Sequence, residues 1–199
     1  MLPVGDAYLG RAVDGSGQPI DGGPPLHARA LWPAGGKRAG ALDRSPVRRT
    51  FDTGVRALNA LTTFGIGQRI GIMAGSGVGK SVLLDMIATG AEAEIVIVGL
   101  IGERGREVQE FLEDDLGEEG LKRSIVVVAT SSDSALLRRQ AAYMTMAVAE
   151  YFRNQGKNVL CMMDSVTRFA MAQRALGRPG RTVIVGRRMP TPSKKPRRE

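Results

Sequence analysis

At 199 residues with 43% hydrophobic residues, the chain can bury one sizeable core, and its average polarity excludes a membrane protein. No run approaches the ~20 apolar residues needed to span a bilayer, and the N-terminal MLPVGDAYLG lacks the basic-then-apolar plan of a signal peptide, which points to the cytoplasm. A net charge of +8 would suggest a nucleic-acid partner, yet eight Lys or Arg and one acid fall between Arg178 and Glu199, leaving 20 basic and 19 acidic residues before them. In chain order, the first 36 positions hold eight glycines and five prolines, a composition of turns, short strands and extended connections. From residue 51 to 177 apolar runs alternate with amphipathic segments. RIGIMA (69–74), EIVIVGLI (94–101), SIVVVAT (124–130) and NVLCMMD (158–164) read as strands, and helices are predicted near 80–89, 105–116, 134–155 and 165–176. The longest helix repeats Leu137, Ala141, Met144, Val148, Tyr151 and Phe152 at three- and four-residue spacing, with Gly156 as its stop signal. Strands apolar on both faces and alternating with helices predict an α/β fold with a parallel sheet covered on both sides. Residues 178–199, rich in proline and clustered charge, read as a solvated or disordered tail.

The chemistry centres on GIMAGSGVGKSVLLDMIA. A loop that wraps phosphate oxygens needs glycines so that backbone N–H groups can approach, with a helix N-terminus aimed at the same charge. Gly75, Gly77 and Gly79 supply that bend, Lys80 can reach the β and γ phosphates, and the Ser81 hydroxyl suits Mg²⁺. The full phosphate-binding set is Gly75, Ser76, Gly77, Val78, Gly79, Lys80, Ser81 and Val82. The strict G-x-x-x-x-G-K-[ST] pattern asks for glycine at position 74, where this chain has Ala74. NVLCMMD places Asp164 at the C-terminal end of an apolar strand, where open α/β sheets bind ligands. Glu103 and Glu107 follow another strand in LIGERGREV. The residues alone leave two uses for them: orienting the attacking water, or forming a solvated turn with Arg104 and Arg106. The lone His27 reads as a solvated loop residue, Cys161 as a buried structural thiol, and Arg138, Arg139 and Gln140 as an exposed helix face. Met144, Met146, Met162, Met163 and Met171 read as core, and His/Cys metal sites are excluded by count.

Three stretches carry a resemblance: VGDAYLGRAVDGSGQPIDG, GIMAGSGVGKS, and LIGERGREVQEFLEDDLG continuing through MMDSVTRFAMAQRALG. Over residues 2–177 the chain resembles the flagellar type III protein-export ATPases, which are similar to rotary ATP synthase catalytic subunits and virulence-type secretion ATPases. GSGVGKS with MMDSVTRFAMAQR favours the flagellar branch. The resemblance implies a RecA-like P-loop core, incomplete here: a remnant of an N-terminal β-barrel over 1–28, a linker over 29–50, a partial ATPase core over 51–177 and a tail foreign to the family. It implies ATP and Mg²⁺ as cofactors. Lys80, Glu103 and Arg104 match catalytic positions, and Ser81, Asp164 and Glu107 match the metal site. The implied setting is a homo-hexameric ring working with the flagellar export apparatus, its regulator and chaperone–substrate complexes, and peripheral to the inner membrane through those partners. After Gly177 the family continues with GEPP and GY segments, absent here. Later core strands, the arginine finger for the neighbouring subunit, the adenine-contacting aromatic and the helical C-terminal domain are therefore expected to be missing, as in a truncated or frame-disrupted product. Weak nucleotide binding and slow turnover follow as expectations, because an arginine finger contributes roughly 10³ to 10⁵ in rate. A catalytically silent nucleotide-binding fragment is the alternative. A Rho-like RNA motor would need stacking aromatics, and the first 50 residues offer only Tyr8 and Trp32.

Overall fold

The computed structural model describes residues 1–36, 40, 46–75 and 77–177. Ser76 of the glycine loop and residues 178–199, where a solvated tail is predicted, lie outside the described residues. The centre is a parallel sheet of β2 (Arg11–Asp14), β5 (Ser124–Thr130), β4 (Ile95–Glu103) and β6 (Val159–Asp164), ordered β2-β5-β4-β6. Ile97, Ile101, Ile125 and Val127 face α5 (Ala135–Asn154), the long predicted helix, and pack with its Ala141, Met144 and Val148. The alternate residues Val96, Val98, Val126 and Val128 face α2 (Lys80–Gly90), α3 (Gly105–Glu110) and the single π turn Phe111–Leu116. Each such aliphatic side chain contributes about 1.5–3 kcal/mol on full burial, so the two faces of the sheet dominate stability. Gly99 of β4 lets α5 approach closely, since a Cβ there would lie 2.5 Å from the Thr145 hydroxyl oxygen. Ser134 caps α5 by accepting from the Leu137 N–H at 3.2 Å, and Gly156, with φ of 82°, lies just beyond its end. The chain then enters β6 and α6 (Val166–Leu176), which packs beside α5 through the Tyr143–Phe169 ring contact.

Three expectations change in the structure. First, the glycine- and proline-rich opening, read as turns, short strands and extended connections, contributes strands and buried side chains to the main core. β2 joins the main sheet because Ala12 fits the α2 side and Val13 the α5 side, as a strand buried on both faces requires. β1 (Leu2–Val4) pairs antiparallel with β3 (Ala30–Trp32), placing Leu2, Val4 and Trp32 in the α5-side core. The Trp32 indole donates to Glu150 at 2.8 Å, and the Tyr151 hydroxyl donates to Asp6 at 3.1 Å. The segment from Arg11 to Asp21 is closed by a bidentate ion pair with both contacts at 2.7 Å, which holds the Asp21 carboxyl below the usual carboxylate range.

Second, RIGIMA, predicted to be the strand entering the glycine loop, forms no strand. Ile70 and Met73 are exposed, and only Ile72 packs on the α2-side core. A strand depends on neighbours for its N–H and C=O groups, and among the described residues β6 is the sheet edge, paired only with β4. The same edge position leaves Cys161 exposed rather than buried. Third, some side chains exchange roles. Met146 and Met171 are exposed, whereas Arg138, Arg139 and Gln140 are half-buried. A short helix, α1 (Arg56–Leu61), was not foreseen, and α4 (Gly117–Lys122) completes the set after the π turn.

Candidate active site

The carboxyl ends of β4 and β6 lie side by side, with Leu100 paired to Asp164, and the glycine loop delivers the start of α2 to the same end. Gly77 and Gly79 have φ of 75° and 87°, the left-handed region where other residues are strained, so the turn into α2 demands glycine. At Gly75, Gly77 and Gly79 nothing lies within 4 Å of where a Cβ would stand. No side chain caps α2, so its first-turn N–H groups are available to an anion.

Lys80, the first residue of α2, donates to the Asp164 carboxylate, which is 8% exposed at the end of β6. This charge-assisted pair joins the loop to the end of β6. The Asp164–Ser165 peptide is cis. Below the pair lies a cavity of about 140 Å³ lined by Ser81, Glu103, Glu107, Glu110, Asp85, Asp115 and Asp164, with Leu84, Val98, Leu100, Phe111 and Met162 as apolar walls. That volume suits a few waters or a hydrated cation rather than a nucleotide.

Within this acidic pocket, burial first, and then a hydrogen bond to Glu107, push the Glu103 carboxyl up to about 7; Arg168 opposes that shift. Glu107 is held below its ordinary value mainly by the same hydrogen bond. Burial, followed by the charges of Asp115 and Asp164, pushes Asp85 up to about 6. Desolvated carboxylates of one sign resist ionising together, which is the condition for a group titrating near neutral pH.

Of the residues expected from sequence, Ser81, Glu103, Glu107 and Asp164 meet in one cavity, and Lys80 reaches it through Asp164. Arg104 does not line it. Its guanidinium is exposed and pairs with Glu107 at 3.6 Å, while its backbone N–H donates to Glu107 at 3.4 Å. Val78 and Val82 are exposed at the loop and first turn. Two participants were missed. Asp85 lies four residues after Ser81 on α2, a spacing that shares one helix face and could have identified it. Arg168, four residues after Asp164, pairs with Glu103 at 3.3 Å and donates to the Gly102 carbonyl; no motif spacing marks it.

Residues 54–191 match the ATP synthase alpha/beta family, nucleotide-binding domain. The chain belongs to this family. The match runs past Gly177 into the basic segment. As a member of the ATP synthase alpha/beta family, the chain is 58% identical over 172 residues to the flagellum-specific ATP synthase of Caulobacter vibrioides, covering 86% of this chain and 39% of that relative. It superposes on a prototypical ATPase from the type III secretion system of pathogenic bacteria with a TM-score of 0.81 at 51% identity, covering 88% of this chain and 51% of the other. A second solved structure, the assembled ATPase EscN in complex with its central stalk EscO from enteropathogenic E. coli, gives a TM-score of 0.79 at 50% identity, covering 88% and 44%. The chain thus spans about two fifths of the Caulobacter relative's length. The loop, Lys80 and Asp164 stand at the carboxyl ends of the parallel strands, the end at which open α/β sheets in general bind ligands. Among the described residues no helix is long and apolar enough to cross a membrane.

Proposed function

We propose that this chain is the nucleotide-binding part of a flagellar type III export ATPase, hydrolysing ATP to drive protein export. The observation that carries the proposal is the convergence of Lys80, Ser81, Glu103 and Asp164 at the ends of β4 and β6. In the proposed cycle, Lys80 leaves Asp164 for the β and γ phosphates, whose oxygens also accept from the N–H groups of the loop Gly75–Lys80 and of the first turn of α2. The Ser81 hydroxyl and the carboxylates of Asp164 and Glu107, hard oxygen donors lining the cavity, would hold Mg²⁺. When bound, Mg²⁺ neutralises charge on the β and γ phosphates. Glu103 orients a water towards the γ phosphorus and accepts its proton. The new P–O bond forms as the bond to the bridging oxygen breaks, and ADP carries away the electron pair. The apolar walls around Glu103 keep its carboxyl near the pH at which proton transfer is efficient.

The flagellar assignment is supported by the 58% identity to the Caulobacter protein; other flagellum-specific relatives, at 49–54%, overlap the 49–51% of type 3 secretion system ATPases. The assembled state of EscN with its central stalk supports assembly of this chain too; interfaces to an export apparatus, a regulator and chaperone–substrate complexes at the cytoplasmic face of the inner membrane are part of the same proposal. The decisive measurement combines nucleotide binding with phosphate release from the purified chain. Magnesium-dependent binding of ATP and phosphate release, both absent in Lys80→Ala, are expected. Binding without release would identify a catalytically silent fragment, and binding that survives in Lys80→Ala would reject this site.

A further inference from the structure

Among the described residues β6 pairs with β4 alone, so the N–H and C=O groups along its other side have no ladder. Its side chains show the same incompleteness. Val159, Leu160 and Met163 are half-buried and Cys161 is exposed, whereas β4, a run of similar composition, is buried from Ile95 to Gly102. A run as apolar as β6 suits a strand covered on both faces and paired on both sides.

The path of the chain leads to that edge. α5 carries it from β5 across β4 to β6, and α6, packed beside α5 on the same face, leaves the carboxyl end of β6. Its 11 residues span about 16 Å, close to the ~20 Å of a six-residue strand, so α6 returns the chain towards the amino end of the sheet. A crossover of the same hand as β5–α5–β6 then has one destination, the open side of β6. Gly177 to Gly180 has the ordinary length of a helix-to-strand connection. RTVIVG, residues 181–186, comes next in sequence and lies outside the described residues. Thr182, Val183, Ile184 and Val185 are all β-branched and are bounded by Gly180 and Gly186, the composition of a strand buried in a parallel sheet. The family match, which runs to residue 191, includes them.

We propose that the open edge of β6 is the docking site of residues 181–186, which add to the sheet as a parallel strand. With the two runs level, Val183 stands beside Cys161. Val183 and Val185 then share the α5 side with Val159 and Met163, and Ile184 shares the α2 side with Leu160 and Met162. Asp164, which accepts from Lys80, thereby ends an internal strand instead of an edge. The tether favours this occupant over a second copy, because so short a connection holds the segment at an effective concentration on the order of millimolar.

Cys161 is the chain's only cysteine and lies on this edge, so a disulfide scan tests the pairing. Opposed residues of neighbouring strands are ~4.8 Å apart, a separation that a disulfide spans. Single cysteines at positions 181 to 185 of the full chain are oxidised in native buffer and again in urea. Expected are disulfides within one chain whose yields alternate with a period of two, highest in Val183→Cys and about 10-fold lower in Thr182→Cys and Ile184→Cys, with no alternation in urea. Equal yields at all five positions, as an unpaired segment gives, would overturn the proposal, and so would the absence of any disulfide. Disulfides between chains would also overturn it, by giving the edge to a second copy. Hydrogen exchange needs no added cysteine. The β6 amides turned away from β4 should exchange slowly in the parent and at least about 10-fold faster in Ile184→Pro, which breaks the ladder. The same rates in both would reject the docking.

Discussion

The two ends of β4 belong to different regimes. Its middle, from Ile95 to Ile101, is buried on both sides: α5 covers one face through Ala141, Met144, Ala147 and Val148, and α2 and the π turn cover the other. Its carboxyl end meets an open glycine loop, exposed Val78 and Val82, and a cavity with six carboxylates. The same strand is thus held rigidly by the first region and aims Glu103 into the second. Stability and chemistry are separated by a few residues of one element, so substitutions in the two places should have different signatures.

The separation can be broken most forcefully from the core. Ile97 is fully buried under α5, and Ile97→Ala is expected to cost about 2–5 kcal/mol in urea unfolding. Folded variant should keep its nucleotide affinity. A change in affinity comparable to the loss of stability would show that the two regimes are coupled. At the other end, Lys80→Met is expected to weaken Mg-ATP binding at least about 100-fold, or ~2.7 kcal/mol, through loss of charge-assisted bonds to phosphate. Titration with a fluorescent ATP analogue measures it. An intermediate case is the Arg11–Asp21 pair, with side chains only 17% and 19% exposed. Arg11→Ala should cost about 1–3 kcal/mol by loosening the N-terminal segment on the sheet, with binding intact.

An effect of a different kind is expected in pH dependence. Glu103, ordinarily near 4.5, is pushed up to about 7, and Asp85, ordinarily near 3.8, to about 6. Both bind protons more tightly in the folded chain than in the unfolded one, so their contribution to stability is complete at low pH and is lost as pH rises through about 4 to 7. Urea unfolding of the nucleotide-free chain across this range should show the decline, and Glu103→Gln should flatten its upper part. A variant with the parent's slope would assign the decline elsewhere.

Much of this architecture is legible in sequence. Three of the four predicted strands stand within two residues of their expected limits, and all four predicted helical regions are helical, the second continuing through the π turn to Lys122. The fourth run, RIGIMA, has the composition of a buried strand but lies unpaired among the described residues, because pairing is a property of neighbours and not of the run itself. The exposure of Cys161 has the same origin: VLCMM lies on an edge strand. Conversely, RAVD looked like part of a connecting segment, and only its two apolar contact surfaces brought it into the sheet beside β5.

For the site, local sequence specified the parts whose chemistry is short-range. Glycines at 75, 77 and 79 permit the phosphate loop, Lys80 and Ser81 follow it into a helix, and an acid ends an apolar strand. Whether Glu103 and Glu107 served a site or a solvated turn could not be read from LIGERGREV, since nothing local states how deeply a carboxylate is buried. Tertiary structure largely buries Glu103 and brings Glu107, which stays exposed, to the rim of the same cavity where α2, the π turn and β6 meet. It also decided the contact between Gly102 and Arg168, 66 residues apart in sequence. Backbone conformation and residue chemistry are encoded position by position, whereas burial, pairing and the aim of a carboxylate arise only when distant segments meet.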